Sequence, residues 1–155
     1  TRIREPVSDF KAKMMELQPG EEMQMRGPFG WMFFHNDKDV LMISGGISIT
    51  PFRSLLREVE KKGNRRATLH YVSSGGNYAY VNELDRFDRL PAFDIHYFGG
   101  RGQLTSAIEG YVKEHGNNSE YFISGTMDMI KAVKKRLKSL GIKGKNIRNE
   151  PMLFY

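Results

Sequence analysis

Residues 39–63 read DVLMISGGISITPFRSLLREVEKKG, and the fold turns on how this stretch is parsed. Four apolar residues, Val40 to Ile43, run into Ser44 and the pair Gly45-Gly46. Beyond Thr50-Pro51 the pattern takes on helical spacing. Pro51 suits the first turn of a helix, where its missing N–H would be unpaired anyway. Glycines let a backbone approach a pyrophosphate closely, and the N–H groups and positive end of a following helix attract it. Thr50 could cap that helix or offer its hydroxyl to a phosphate. An ordinary strand-to-helix turn has the same outline. The stretch is not GxGxxG, so no ribose-binding acid is expected downstream. Position 48 holds a serine where a third glycine could stand.

Working outward, strand-like runs alternate with helical patterns, the signature of parallel β-α units. Strands are expected at 40–44, 67–73, 93–98, 119–124 and within 146–154, around Pro151. Helices are expected at 51–62, about 80–88, 103–114 and 127–140. The last carries Met127, Ile130, Val133, Leu137 and Leu140 on one face, lysines opposite, and Gly141 as its stop. Upstream, SDFKAKMMEL (8–17) reads as a short helix capped by Ser8 or Asp9, with Phe10, Met14 and Leu17 on one face. QPGEE is a turn, Met23 and Met25 alternate as in a strand, and RGPFG is a second turn before the apolar run Trp31 to Phe34. A composition break near 35–39 sets a boundary, giving segments 1–36 and 37–155.

The chain has 155 residues, 39% of them apolar, enough for one compact domain with a core and a small second piece. With no cysteine, thiolate catalysis, disulfides and zinc–thiolate sites are excluded. No run reaches the length of a membrane span and no signal peptide opens the chain, so a cytoplasmic setting is expected. The chain opens at Thr1 rather than at a methionine, which reads either as an artificially trimmed chain or as a natural fragment of something longer. A net charge of +6 favours anionic partners, nucleotide phosphates or acidic proteins among them. Nucleic acid is not favoured, because the cations are not interleaved with aromatics.

Two further turns repeat the first device. YVSSGGNYAY follows the second strand, and in an open α/β sheet that loop lies beside the first one. Ser73 and Ser74 could bond an adenosine ribose or its 2′-phosphate. The loop has no basic residue of its own, leaving Arg101 and the lysine-rich helix as substitutes. FISGTMDMIKAV follows the fourth strand, and places Ser124, Gly125 and Thr126 at the same edge. Here Met127 and Met129 read as core. The four histidines, His35, His70, His96 and His115, show neither metal-ligand spacing nor a partnered serine, and no metal motif stands out. Chemistry would therefore rest with a bound cofactor.

Taken in order, GGISITPFRSLL, YVSSGGNYAYVNEL and FISGTMDMIKAVKKRLKSLGIKGKNIRNE closely resemble the nucleotide half of the ferredoxin–NADP reductase family. That family's wording is GGIGITP, then a loop and a helix carrying EL, then CGPxxM ahead of a long helix, and finally NIxxE. The stretch SDFKAKMMELQPGEEMQMRGPFGWMFF resembles the end of its flavin barrel. The resemblance implies an α/β fold with a five-stranded parallel sheet of order 3-2-1-4-5. A helix and hairpin remnant of a β-barrel flavin domain would precede it. It implies NADPH or NADH along the carboxyl edge, with hydride passing to FAD. Electrons would then reach a ferredoxin, a flavodoxin-type protein or another acceptor, an acidic one matching the net charge.

By position, Gly45, Gly46, Ile47, Ser48, Thr50 and Pro51 would face the pyrophosphate, and Ser73 and Ser74 the adenosine. Ser124, Gly125, Thr126 and Met127 would lie near the nicotinamide, with Glu150 close by; Ser124 and Glu150 are the catalytic candidates. Ser8 would hold the flavin pyrophosphate. Three departures stand out. The arginine-x-tyrosine-serine flavin motif does not occur, so this chain alone is not expected to hold FAD tightly. Ser124-Gly125-Thr126 replaces Cys-Gly-Pro. Ser48 replaces the third glycine of GGIGITP, and is expected to suit the backbone and tune nucleotide binding. The last two favour an alternative, a degenerate nucleotide-binding regulatory module without redox activity.

Overall fold

The computed structural model describes residues 6–24, 26–27 and 32–151. The chain divides into two compact units, Thr1–Gly30 and Trp31–Tyr155. The first holds α1 (Asp9–Glu16) and a turn in which Glu21 N donates to Gln18 O. Ser8 precedes α1 in extended conformation, but its side chain makes no capping bond, and no α1 residue is buried. The strand expected around Met23 does not form over residues 21–24, while Met25 and 28–31 lie outside the described residues.

The second unit is built from β1 (Val40–Gly45), α2 (Thr50–Lys62), β2 (Ala67–Val72), α3 (Val81–Asp88), β3 (Phe93–Phe98), α4 (Arg101–His115), β4 (Glu120–Gly125), α5 (Met127–Ser139) and β5 (Ile147–Pro151). All pairings are parallel and the strand order is β3-β2-β1-β4-β5, as the resemblance implies. Residues 152–154 of the last expected strand lie outside the described residues.

Both faces of the sheet are covered, which explains why β1 and β4 read as unbroken apolar runs rather than alternations. On one face Val40, Met42, Leu69, Tyr71 and Phe122 meet Phe52, Leu55, Leu56 and Val59 of α2 and Leu84 and Phe87 of α3. On the other, Leu41, Ile43, Tyr121 and Ile123 meet Leu104, Ile108 and Val112 of α4 and Ile130, Val133 and Leu137 of α5. Each fully buried side chain of this size contributes about 1.5–3 kcal/mol. Met127, expected in the core, is instead 45% exposed, because it opens α5 before the helix meets the sheet. Gly141 takes the left-handed conformation (φ 84°) just past α5, and Ile142 N donates to Leu137 O.

The amino edge of the sheet is closed by charge. Glu120 at the start of β4 is buried between Arg65 (3.7 Å) and Arg148 of β5 (3.3 Å). Arg65 also donates to the carbonyls of Lys38 and Asn36 and stacks on Phe34. Phe34 in turn lies against Phe122, so the segment before β1 packs on the sheet upstream of the composition break. Buried carboxylates are tolerated only when paired this way.

Candidate functional site

The carboxyl ends of β1 and β4 are neighbours at the centre of the sheet, where the strand order reverses. In open α/β sheets that reversal opens a crevice beyond the strand ends. Three of the turns singled out in the sequence meet this edge. The turn after β1 is a 3-10 segment, Gly46–Ile49, that feeds straight into α2. Gly46 has φ 59°, a left-handed value that a side chain would resist, and a Cβ built there meets nothing within 4 Å. The space in front of the turn is open. Pro51 lies in the first turn of α2 as expected. Thr50 does not cap the helix: it is itself helical, exposed, and its Oγ1 donates to Ile47 O at 2.9 Å.

Gly45 and Gly125 are glycines for a reason the sequence did not disclose. Met129 of α5 lies across both strand ends, its Sδ 2.5 Å from a Cβ built on Gly45 and 2.8 Å from one on Gly125. A side chain at either position would require the thioether, near the end of a flexible side chain, to move aside. Met129 is half-buried against the α4–α5 core.

Ser48 and Ser124, placed near a ligand by position, both turn inward and are fully buried. The Ser48 Oγ accepts from Gly45 N (3.1 Å) and lies 2.5 Å from Gly45 O and 2.7 Å from Ser124 O. Its single proton serves one of those carbonyls at a time. Ser124 Oγ donates to Glu150 O at 3.3 Å. The two catalytic candidates are thus brought together, Ser124 opposite Glu150 in the β4–β5 register, but by a hydroxyl-to-backbone bond. Thr126 caps α5, its Oγ1 accepting from Met129 N at 3.4 Å.

In the loop after β2, Ser73 is also spent internally: its Oγ donates to Asn77 O at 2.7 Å. Ser74, Gly75 and Gly76 are exposed, and both glycines have positive φ. A basic residue of α2 does lie beside this loop. Arg53 stacks 3.8 Å over the ring of Tyr80, the one non-glycine residue with positive φ (63°) among the described residues. Glu83 holds Arg53 (2.6 Å) and Arg57 (2.7 Å) together. Burial pushes Glu83 up, but hydrogen bonds from the two arginines outweigh it and hold the carboxyl below its ordinary value. Only an α2–α3 contact reveals this cluster, so sequence spacing did not find it. Arg101 lies elsewhere, lining a crevice of about 140 Å³ between α4 and α5 with Asp128 and Met129.

The larger concavity, about 600 Å³, is not at this edge but on the α4 side of β2 and β3. His70 and His96, register partners on those strands, line it with Tyr111 and His115. Burial, with some help from His96, depresses the His70 pKa to about 4, and its Nδ1 is buried without a partner. The described residues offer no group of three or more metal ligands.

Sheet order, switch-point crevice and the three turns define an open, doubly covered α/β sheet with its crevice at the carboxyl edge. No family model matches the chain. It is 25% identical over 152 residues to a flavohemoprotein of Chromobacterium violaceum, covering 87% of this chain and 38% of that protein. It is 27% identical over 161 residues to a component of the Na(+)-translocating NADH-quinone reductase of Neisseria meningitidis, covering 92% and 40%. The H286L mutant of ferredoxin-NADP+ reductase from Plasmodium falciparum superposes with a TM-score of 0.77 at 20% identity, over 94% of this chain and 66% of that one. The chain is thus similar in sequence to these curated relatives and shares its fold with the reductase structure. It spans about two fifths of the length of these curated relatives.

Proposed function

We propose that this chain is the NAD(P)H-binding part of a flavin-dependent oxidoreductase, with residues 1–36 the end of its flavin barrel and 37–155 the nucleotide domain. The observation that carries the reading is the convergence of the turns after β1, β2 and β4 on the switch-point edge. Within that edge, charge favours one place for the pyrophosphate. The first turn of α2 contains no acidic residue, whereas Asp128 and the Thr126 cap already satisfy the start of α5. An anion is better stabilised at the first.

Gly46, Ile47 and Thr50 would then offer backbone and hydroxyl groups to the pyrophosphate, with Gly45 and Pro51 shaping the turn. The adenosine would rest on the exposed Ser74 side of the loop after β2, with Ser73 holding that loop and Arg53 and Tyr80 beside it. Thr126, Met127 and the backbone of Ser124 and Gly125 would border the nicotinamide, with Glu150 on the adjacent strand. A bound reduced nicotinamide would supply a hydride, and Ser8 would help hold the pyrophosphate of an FAD seated on the barrel, the hydride acceptor. The chain's own contribution is orientation, since transfer demands that donor and acceptor rings meet in a near-attack geometry. An acidic electron-transfer protein is the partner that the net charge of +6 suits.

Thr50→Glu tests the pyrophosphate placement. A carboxylate at the start of α2 suits the helix dipole, so stability should hold within about 1 kcal/mol once the lost Oγ1 bond is counted. The same charge should repel a pyrophosphate. Calorimetric titration with NADPH and NADH should show affinity weakened about tenfold or more. Undiminished binding by Thr50→Glu would remove α2 from the site.

A further inference from the structure

We infer that Ser48 is a positioning residue that couples the two ends of the nucleotide site; this rests on the NAD(P)H reading above. The β1–β4 pairing stops at Ser44 opposite Ser124, although β1 itself runs on to Gly45 and pairs with β2 there. At the point where the next β1–β4 rung would lie, the Ser48 hydroxyl stands between the strands. It accepts from Gly45 N and lies within donating distance of Ser124 O. A side chain thus extends a backbone ladder by one step.

The hydroxyl is completely buried, so it cannot itself touch a nucleotide. Nor does position 48 require a glycine, since its φ is not positive. What the serine adds is a link. The turn that would cradle the pyrophosphate contains Gly46, the most permissive residue, with nothing packed where its Cβ would be. Whenever its proton turns from Gly45 O (2.5 Å) to Ser124 O (2.7 Å), Ser48 ties that turn to β4, and Ser124 in turn donates its own hydroxyl to Glu150 O of β5. The pyrophosphate turn and the nicotinamide-side turn are thereby held at one fixed separation. A dinucleotide must span both, whereas a half-molecule needs only one.

The test compares Ser48→Ala and Ser48→Gly with the unaltered 155-residue chain, titrated with NADPH, NADH and ADP-ribose. Circular dichroism monitors the fold, and amide hydrogen exchange is followed at Gly45. Removing the link should weaken the dinucleotide about five- to tenfold, the equivalent of one hydrogen bond, and ADP-ribose clearly less. The Gly45 amide should exchange faster. A merely structural serine would lower stability and leave the ratio of dinucleotide to ADP-ribose affinity unmoved. The glycine variant keeps the question open to experiment if alanine does not fold, since the smaller residue cannot crowd the site. Equal affinities in a folded variant, or equal losses for dinucleotide and ADP-ribose, overturn the inference. Failure of the unaltered chain to bind either dinucleotide overturns the NAD(P)H reading, and this inference with it.

Discussion

At the scale of single residues, His70 shows how far burial controls ionisation here. Its ring is almost wholly buried and lies edge-on to His96, Phe98 and Tyr111. Asp94 and His96 of β3, Tyr111, Glu114 and His115 of α4, Asp39 and Arg66 share its groove. With its pKa near 4, His70 is neutral in the folded chain at pH 7, whereas an unfolded histidine titrates near 6.5. Between those values the unfolded state binds more protons, so stability is full above about pH 6.5 and falls as pH drops toward 4. The loss from this residue is on the order of 3 kcal/mol when His70 is fully charged. Urea unfolding from pH 7 to pH 4 should show a clearly shallower decline for His70→Leu than for the unaltered chain. Parallel declines would mean that the ring titrates normally.

At the scale of elements, the clearest coupling is the docking of α5 onto the ends of β1 and β4 through Met129. Gly45→Ala brings a methyl group against the Met129 sulfur, the far end of a flexible side chain that can swing aside, so it should cost only about 0.5–1 kcal/mol. In a Met129→Ala background that cost should vanish, so a double-mutant cycle in urea should return a coupling of about 0.5 kcal/mol or more. Additive costs would show that Gly45 answers to something other than Met129. The elements themselves were legible in the sequence. Unbroken apolar runs marked the buried parallel strands, Pro51 marked the start of α2, and Gly141 the stop of α5. The strand order was legible only through the family resemblance of the motifs. What the sequence hid were contacts between distant segments: Met129 over two glycines, Arg53 over Tyr80, and the inward turn of Ser48 and Ser124. A serine in a glycine-rich turn reads as a ligand contact. Whether its hydroxyl faces the ligand or a strand end depends on a rung of hydrogen bonds that spacing does not encode.

At the scale of the whole molecule, the question is how much chemistry the chain performs by itself. Among the described residues its second unit has a five-stranded sheet with both faces covered, and so has the core needed to fold. Its first unit contributes one helix with no buried residue among those described, and leaves Phe10, Met15 and Met23 more than half exposed. The flavin motif is absent from the sequence. Nucleotide binding and flavin reduction should therefore separate. Titrated with NADPH or NADH, the 155-residue chain should bind. Mixed with FAD, NADPH and a dye acceptor, it should reduce the dye only slightly, because the sequence lacks the arginine-x-tyrosine-serine motif that would seat the flavin. Joined to the flavin barrel of a reductase-like relative, the same chain should reduce the dye at least about a hundredfold faster. That is the scale on which loss of near-attack geometry slows a reaction. Flavin bleaching under anaerobic conditions reads the step directly, without the dye. Rapid bleaching by the chain alone would place a flavin site within these residues. Tight nucleotide binding with no gain from any flavin barrel would favour a regulatory module instead.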